Sequence, residues 1–282
     1  MRPPGTGGGP VALFDSGIGG LPYLSAARSD LPLETFIYIA DRAGFPYGTK
    51  TRVEVKARVL RLIRRLVEDY GPKALVIACN TASQAALEAA RRSNPGLPII
   101  GTVPAVKPAA ERTRSGVIGV LGSAGAVEDP YLDGLVARHA EGVTVIREGA
   151  QELVTFVERR LAFADEAERR AAVAPFVRRL VDRGADEIVL ACTHFLHLGE
   201  AIAAEAGPSV EVVDSREGVV KRLRQVLGER GLLNGVGTAA PGHGTGGEAR
   251  GTFLVSGAAP IESEYSFFAR TFRLAEPGLA RD

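Results

Sequence analysis

Cysteine and histidine are scarce in this chain, and neither sign of charge is in excess. Only two cysteines, Cys79 and Cys192, and four histidines, His139, His194, His197 and His243, occur among 282 residues. Without a Cys-x-x-Cys pair the thiols do not outline a structural zinc site, and no metal is expected. His194 and His197 share a helical spacing, but a metal there would need carboxylates that the sequence does not supply nearby. Lys and Arg number 34 against 33 Asp and Glu, a formal net charge of +1. That balance gives no basis for a nucleic-acid or membrane partner. No apolar run approaches the roughly 20 residues that a spanning helix needs. The Pro/Gly-rich stretch Arg2–Pro10 lacks the apolar core of a signal peptide and reads as a frayed leader. With no export signal and two well-separated thiols, a reduced, cytoplasmic protein is expected.

What is present is an ordinary globular composition, 45% hydrophobic and 24% charged. Short aliphatic runs at Val11–Phe14, Phe36–Ala40, Ala74–Ala78 and Pro98–Gly101 read as strands, as do Val117–Leu121, Val143–Arg147, Ile188–Ala191 and Val210–Val213. Helical periodicity lies between them. Val55, Val59, Leu62, Ile63, Leu66 and Val67 line one helix face, and Val173, Phe176, Val177, Leu180 and Val181 line another. Strands alternating with helices predict an α/β fold with largely parallel sheets. Towards the C-terminus, Asn234–Gly251 is dense in Gly and Pro and reads as a mobile excursion. Thr252–Ser256 then reads as a strand and Glu262–Phe272 as a closing amphipathic helix, with the tail returning to the first domain.

The two thiols occupy matching sentences. Ala74-Leu75-Val76-Ile77-Ala78-Cys79-Asn80-Thr81 and Glu187-Ile188-Val189-Leu190-Ala191-Cys192-Thr193-His194 each close a buried strand and hand over to polar residues and a new helix. The C-terminal end of a parallel strand is where open α/β sheets bind ligands, and a helix N-terminus there favours a thiolate. Leu13-Phe14-Asp15-Ser16-Gly17 and Val120-Leu121-Gly122-Ser123-Ala124 open the two halves in the same way, a weak internal repeat. Two matched thiols suggest chemistry that needs two like groups. Asp15 ends a buried strand, where a carboxylate needs a partner or a task. The turn Ser16-Gly17-Ile18-Gly19-Gly20 has no following Gly-Lys-Ser/Thr and is no P-loop. His194 can hold a proton beside Cys192. Glu158 is a candidate helper acid at a helical position where a lone Glu is ordinarily solvated.

Phe14-Asp15-Ser16-Gly17-Ile18-Gly19-Gly20, Pro46-Tyr47-Gly48, Ala78-Cys79-Asn80-Thr81 and Cys192-Thr193-His194, in that order, resemble the cofactor-independent aspartate/glutamate racemase superfamily, and within it the glutamate racemases. The likeness runs from about Val11 to His194 and is weaker beyond. It implies two pseudo-symmetric three-layer α/β domains, residues 1–102 with 214–282 and residues 103–213, with the active site in the cleft between them. It also implies two cysteines acting on opposite faces of the substrate. By this resemblance Cys79 and Cys192 are the acid/base pair, Asp15 supports the first, and His194 and Glu158 support the second. Asp15, Ser16, Pro46, Tyr47, Gly48, Asn80, Thr81, Ser123, Thr193 and His194, together with the two thiols, would bind the amino acid. The implied enzyme uses no cofactor and forms a homodimer. It acts on glutamate, without nucleic acid or membrane, to supply D-glutamate for peptidoglycan. A racemase of aspartate or another acidic amino acid is the alternative, and a non-catalytic small-ligand binding protein of the same fold is the alternative of another class. The chain departs from the pattern in Phe195-Leu196-His197, where Tyr-Pro-Leu is common, and in Ser123 and Ala126, where threonines are usual.

Overall fold

The computed structural model describes residues 8–235 and 251–281. His243, most of Asn234–Gly251 and most of the Arg2–Pro10 leader lie outside the described residues. Strand β1 (Val11–Asp15) leads to α1 (Leu21–Asp30), β2 (Phe36–Ala40), α2 (Arg52–Tyr70), β3 (Ala74–Ile77), α3 (Asn80–Ser93) and β4 (Ile99–Gly101). Next come α4 (Val106–Arg112), β5 (Val117–Gly122), α5 (Ala124–Glu128), α6 (Pro130–His139), β6 (Thr144–Gly149) and α7 (Gln151–Arg159). They are followed by α8 (Glu166–Val181), β7 (Glu187–Leu190), α9 (Gly199–Ala206) and β8 (Glu211–Val213). The chain closes with α10 (Arg216–Glu229), β9 (Thr252–Val255), α11 (Ser263–Thr271) and β10 (Gly278–Leu279). The two-residue β10 carries too little pattern to be read from sequence.

The chain divides into two compact units. One gathers the described residues of Met1–Tyr47, Thr51–Thr102 and Arg216–Asp282; the other comprises Gly48–Lys50 and Val103–Ser215. The first holds a six-stranded sheet in the order β10-β9-β2-β1-β3-β4, and the second a four-stranded sheet in the order β6-β5-β7-β8. Every strand pairing is parallel. Each residue of β1, β2, β3 and β7 is buried, as expected of strands covered on both faces. In the first unit Ala12 and Phe14 point to one face and pack with Val55, Val59, Ile63 of α2 and Ala82, Ala86 of α3. A capping box, Thr51 with Glu54, starts α2 and satisfies backbone donors that the helix cannot.

The order β2-β1-β3-β4 recurs as β6-β5-β7-β8, and the register makes the correspondence residue by residue. Phe14 pairs with Ile77 as Leu121 pairs with Leu190; Asp15 pairs with Ala40 as Gly122 pairs with Gly149. Beyond the strands, Ala78 N–H donates to Phe14 O and Ala191 N–H to Leu121 O, both at 2.8 Å. Cys79 and Cys192 are therefore equivalent positions, as are Ser16 and Ser123.

The opposite, N-terminal ends of the strands are secured differently. In the first unit the buried Lys73 ammonium meets Glu34 at 2.5 Å and donates to Leu232 O at 2.7 Å and Asn234 Oδ1 at 2.9 Å. Asn234 N–H donates to Glu34 at 2.9 Å, so the head of the stretch expected to be mobile is held fast. Removing one member of such a buried pair costs about 3–5 kcal/mol. In the second unit Asp186 accepts from Thr113 Oγ1 and the backbone N–H groups of Arg114 and Ser115 at 2.5–2.8 Å. Partial desolvation works against the charged form, but these hydrogen bonds win and lower its pKa to about 2.

Candidate active site

Cys79 ends the β3 segment and is the N-cap of α3, its sulfur accepting from Ala82 N–H at 3.5 Å. The thiol donates to Ser16 Oγ at 3.8 Å, and Ser16 Oγ in turn donates to Asp15 Oδ1 at 3.1 Å. Ser16 N–H donates to the same carboxylate oxygen at 2.5 Å. Asp15 is fully buried and Ser16 nearly so. Thiol, hydroxyl and carboxylate thus form a continuous hydrogen-bonded chain along which a proton can move.

The glycine turn after β1 is shaped by close packing. A Cβ on Gly20 would lie 2.8 Å from Ala78 Cβ and 2.9 Å from Asp15 Oδ2, so a side chain there would push apart the two strand ends that bring Asp15 to Cys79. Tyr38 locks the turn, its hydroxyl donating to Gly17 O at 2.7 Å and accepting from Gly20 N–H at 3.0 Å. That N–H is therefore taken by protein.

Cys192 ends the equivalent segment but is followed by a 3-10 turn, Thr193–Leu198, with no bond capping the sulfur. The expected helix arrives only at α9. In place of a helix N-terminus, His194 stands beside the thiol, Nδ1 4.0 Å from Sγ, and its Nε2 meets Glu158 Oε2 at 2.9 Å. Glu158 is 2% exposed and faces His194 from α7, so it is no solvated surface residue. Burial disfavours a charged imidazole here, but the hydrogen bonds and charges of Cys192 and Glu158 prevail and hold the His194 pKa well above its ordinary value. The imidazolium can pair with an anionic sulfur or return a proton to it.

Of the remaining candidates, Asn80 and Thr81 open α3 and Thr193 opens the 3-10 turn. Asn80 Oδ1 and Ser123 Oγ are buried and have no hydrogen-bond partner among the described residues. Pro46 and Tyr47 follow β2 in the first unit, whereas Gly48 packs with the second. The Tyr47 hydroxyl points away from ligand duty, donating to buried Asp41 Oδ2 at 2.5 Å. Burial, then the charge and hydrogen bond of Asp41, hold that phenol protonated by raising its pKa well above the usual tyrosine value. Asp41 also pairs with Arg58 and accepts from Ser256 Oγ of the returning tail. This anchoring trio went unread in the sequence, although Asp41, like Asp15, is a carboxylate just past a buried strand. Gln151, first residue of α7, lies in no motif of the sequence; its amide nitrogen and oxygen are buried without partners among the described residues. Among the described residues no cluster of His, Cys, Asp and Glu is arranged to hold a metal ion, and no helix is long and apolar enough to cross a membrane.

The chain is similar to known racemases. The family described as Asp/Glu/Hydantoin racemase matches residues 23–223. A glutamate racemase from Sphingopyxis alaskensis is 48% identical over 227 residues, covering 79% of this chain and 83% of that protein. One from Roseiflexus sp. is 42% identical over 229 residues, covering 81% and 83%. The fold is similar to that of Escherichia coli glutamate racemase in complex with L-glutamate and the activator UDP-MurNAc-ala, with a TM-score of 0.79, 29% identity, and 96% and 97% of the two chains covered. The chain belongs to the Asp/Glu/hydantoin racemase family and is an amino-acid racemase, an isomerase.

Proposed function

We propose that the protein interconverts L- and D-glutamate without a cofactor, using Cys79 and Cys192 as a thiolate–thiol pair. The observation that carries this reading is that two structurally equivalent thiols each lead through a hydrogen-bonded chain to a buried carboxylate, Cys79–Ser16–Asp15 and Cys192–His194–Glu158. Racemisation removes the α-proton from one face of a tetrahedral carbon and returns a proton to the other. One group does not serve both faces of the planar intermediate; two thiols exchanging roles do. In one direction the Cys192 thiolate takes the α-proton of L-glutamate while the Cys79 thiol delivers its proton to the opposite face. The reverse turnover begins with the Cys79 thiolate and D-glutamate. No proton is gained or lost overall. The α-hydrogen is a weak acid, so the intermediate's charge must be met by preorganised donors.

Ser16, Pro46, Tyr47 and Gly48, the last two through their backbone, bind the amino acid together with Asn80, Thr81, Ser123 and Thr193. The unpartnered Asn80 and Ser123 atoms are what such a polar ligand would satisfy. The glutamate assignment is supported by relatives named glutamate racemase and by the Escherichia coli structure that holds L-glutamate. On this reading the protein is a cytoplasmic homodimer that supplies D-glutamate for peptidoglycan.

The test is solvent deuterium uptake at the α-carbon of glutamate, aspartate and glutamine, with dialysed, chelator-treated enzyme and no added cofactor. Highest kcat/KM for glutamate is the expected result. A preference for aspartate would keep the mechanism and replace the substrate. Activity lost on dialysis and restored by a cofactor would remove the mechanism.

A further inference from the structure

Within the second unit, three strand-end residues converge, and one of them, Gln151, lies in no motif of the sequence. Ser123 follows β5, Gln151 follows its neighbour β6, and Cys192 follows its other neighbour β7, so all three lie along one edge of the same parallel sheet. Ser123 is 4% exposed and its hydroxyl has no partner among the described residues. The Gln151 amide is buried at both nitrogen and oxygen, and both atoms are likewise unpartnered. The two side chains share one small space. A Cβ on Gly48 would lie 2.6 Å from Gln151 Oε1 and 2.9 Å from Ser123 Oγ, so glycine at 48 is what leaves the amide and hydroxyl unobstructed.

A buried amide and a buried hydroxyl within reach of one another, bonded neither to each other nor to the backbone, are costly to maintain. Such groups persist where a ligand completes them. The amide contributes N–H donors and the hydroxyl contributes one more. Together they match the two oxygens of a carboxylate, which accepts from both in charge-assisted bonds. A half-turn of the amide exchanges its nitrogen and oxygen without moving the backbone. Ala126, one turn beyond Ser123 and buried, carries no hydroxyl.

We infer that Gln151, with Ser123, binds the side-chain carboxylate of the amino-acid substrate and determines its preference for a dicarboxylic acid over an amide. This rests on the proposal above that the substrate is glutamate.

Three variants test it, read by initial racemisation rates and by thermal unfolding. Gln151→Met keeps the side chain's length and removes both polar atoms. It should raise KM for glutamate about 10- to 100-fold, with kcat changing by no more than about threefold. Its Tm should rise, because an unsatisfied buried amide is gone; a merely structural glutamine would lower Tm when removed. Gln151→Glu places a carboxylate against a carboxylate. It should lose glutamate turnover further while shifting the glutamine-to-glutamate ratio of kcat/KM at least about tenfold towards glutamine, whose amide can donate to it. Ser123→Ala should raise KM for glutamate in the same sense. If the wild-type protein turns over glutamate but Gln151→Met leaves KM within about twofold, the inference is overturned and the glutamate assignment stands. If the wild-type protein does not turn over glutamate, the substrate assignment falls and takes this inference with it.

Discussion

The two halves present the same sheet order and equivalent thiols, yet they solve the thiol's problem with different chemistry. On the Cys79 side a backbone device does much of the work: the sulfur caps a fourteen-residue helix, and a serine hydroxyl joins it to a buried carboxylate. On the Cys192 side the helix is replaced by a 3-10 turn, and the position equivalent to Asp15 is Gly122. A side-chain cation, His194 braced by Glu158, stands in for both. A helix N-terminus is a fixed partial charge that does not titrate. An imidazole does. Equivalent positions in a repeat can thus keep their geometry while their electrostatics diverge, and the divergence should show as handedness in the kinetics.

The strongest way to break the comparison is to remove each thiol. Cys79→Ala and Cys192→Ala should each lower racemisation by more than about 10,000-fold, since in the proposed mechanism each removes one of two proton carriers. Near-wild-type turnover in either variant would mean that the thiols are not a pair. Next in size are the supports. Asp15→Asn and His194→Asn should lower kcat about 100- to 10,000-fold with smaller changes in KM, and unequally for the two isomers. An equal rise in KM for both isomers, with kcat preserved, would make these residues substrate clamps.

The ends of the sheets that lie away from the thiols sharpen the contrast as well. Lys73→Met should cost about 3–5 kcal/mol by stranding Glu34, whereas Lys73→Met with Glu34→Leu should recover much of that loss. Urea unfolding of the single and double variants decides it. A single variant as stable as the double would show that the buried pair is not coupled. Glu158→Gln should have a milder effect, about tenfold on kcat for L-glutamate. It should also move the alkaline limb of that profile to lower pH. The sign follows from His194, whose folded pKa lies above the ordinary imidazole value. Its contribution is full below about pH 6.5 and is lost as pH rises through the raised value, which falls when the carboxylate is removed. Asp15→Asn should leave that limb in place. The smallest effect concerns Asp186, whose pKa of about 2 lies below the ordinary carboxylate value. Its contribution is present above about pH 4 and is lost as pH falls towards the depressed value. Asp186→Asn should flatten the Tm-against-pH curve in that window, by less than the shift alone implies because the group is only partly buried.

How much of this was legible in the sequence depended on whether a residue's role is local. Buried parallel strands are continuous aliphatic runs, so β2 reads from Phe36 to Ala40 and the others within two residues of their ends. The thiols' places at strand ends, and the Asp15–Ser16 turn, follow from the same runs. The partners that cross between elements left no local trace. Glu158 reads as an exposed helical glutamate until α7 is packed against the turn that carries His194. Asp41 is tied to Arg58 and to Ser256, more than 200 residues away, a contact that only the return of the tail creates. Gln151 lies in no motif; what marks it is burial without a partner, which is a property of the folded chain. The turn after Cys192 reads as a helix start because its segment matches the one that ends in Cys79, yet the backbone tightens there to 3-10 geometry.

The division of labour between the thiols is tested most directly by following deuterium into each isomer of glutamate with one thiol missing. Single-thiol variants should not racemise, but the surviving thiolate should still remove and return the α-hydrogen on its own face. Cys192→Ala should therefore exchange the α-hydrogen of D-glutamate and leave L-glutamate unlabelled, while Cys79→Ala should do the reverse. Label entering both isomers in either variant, or the same isomer in both, would contradict a mechanism with one thiol for each hand.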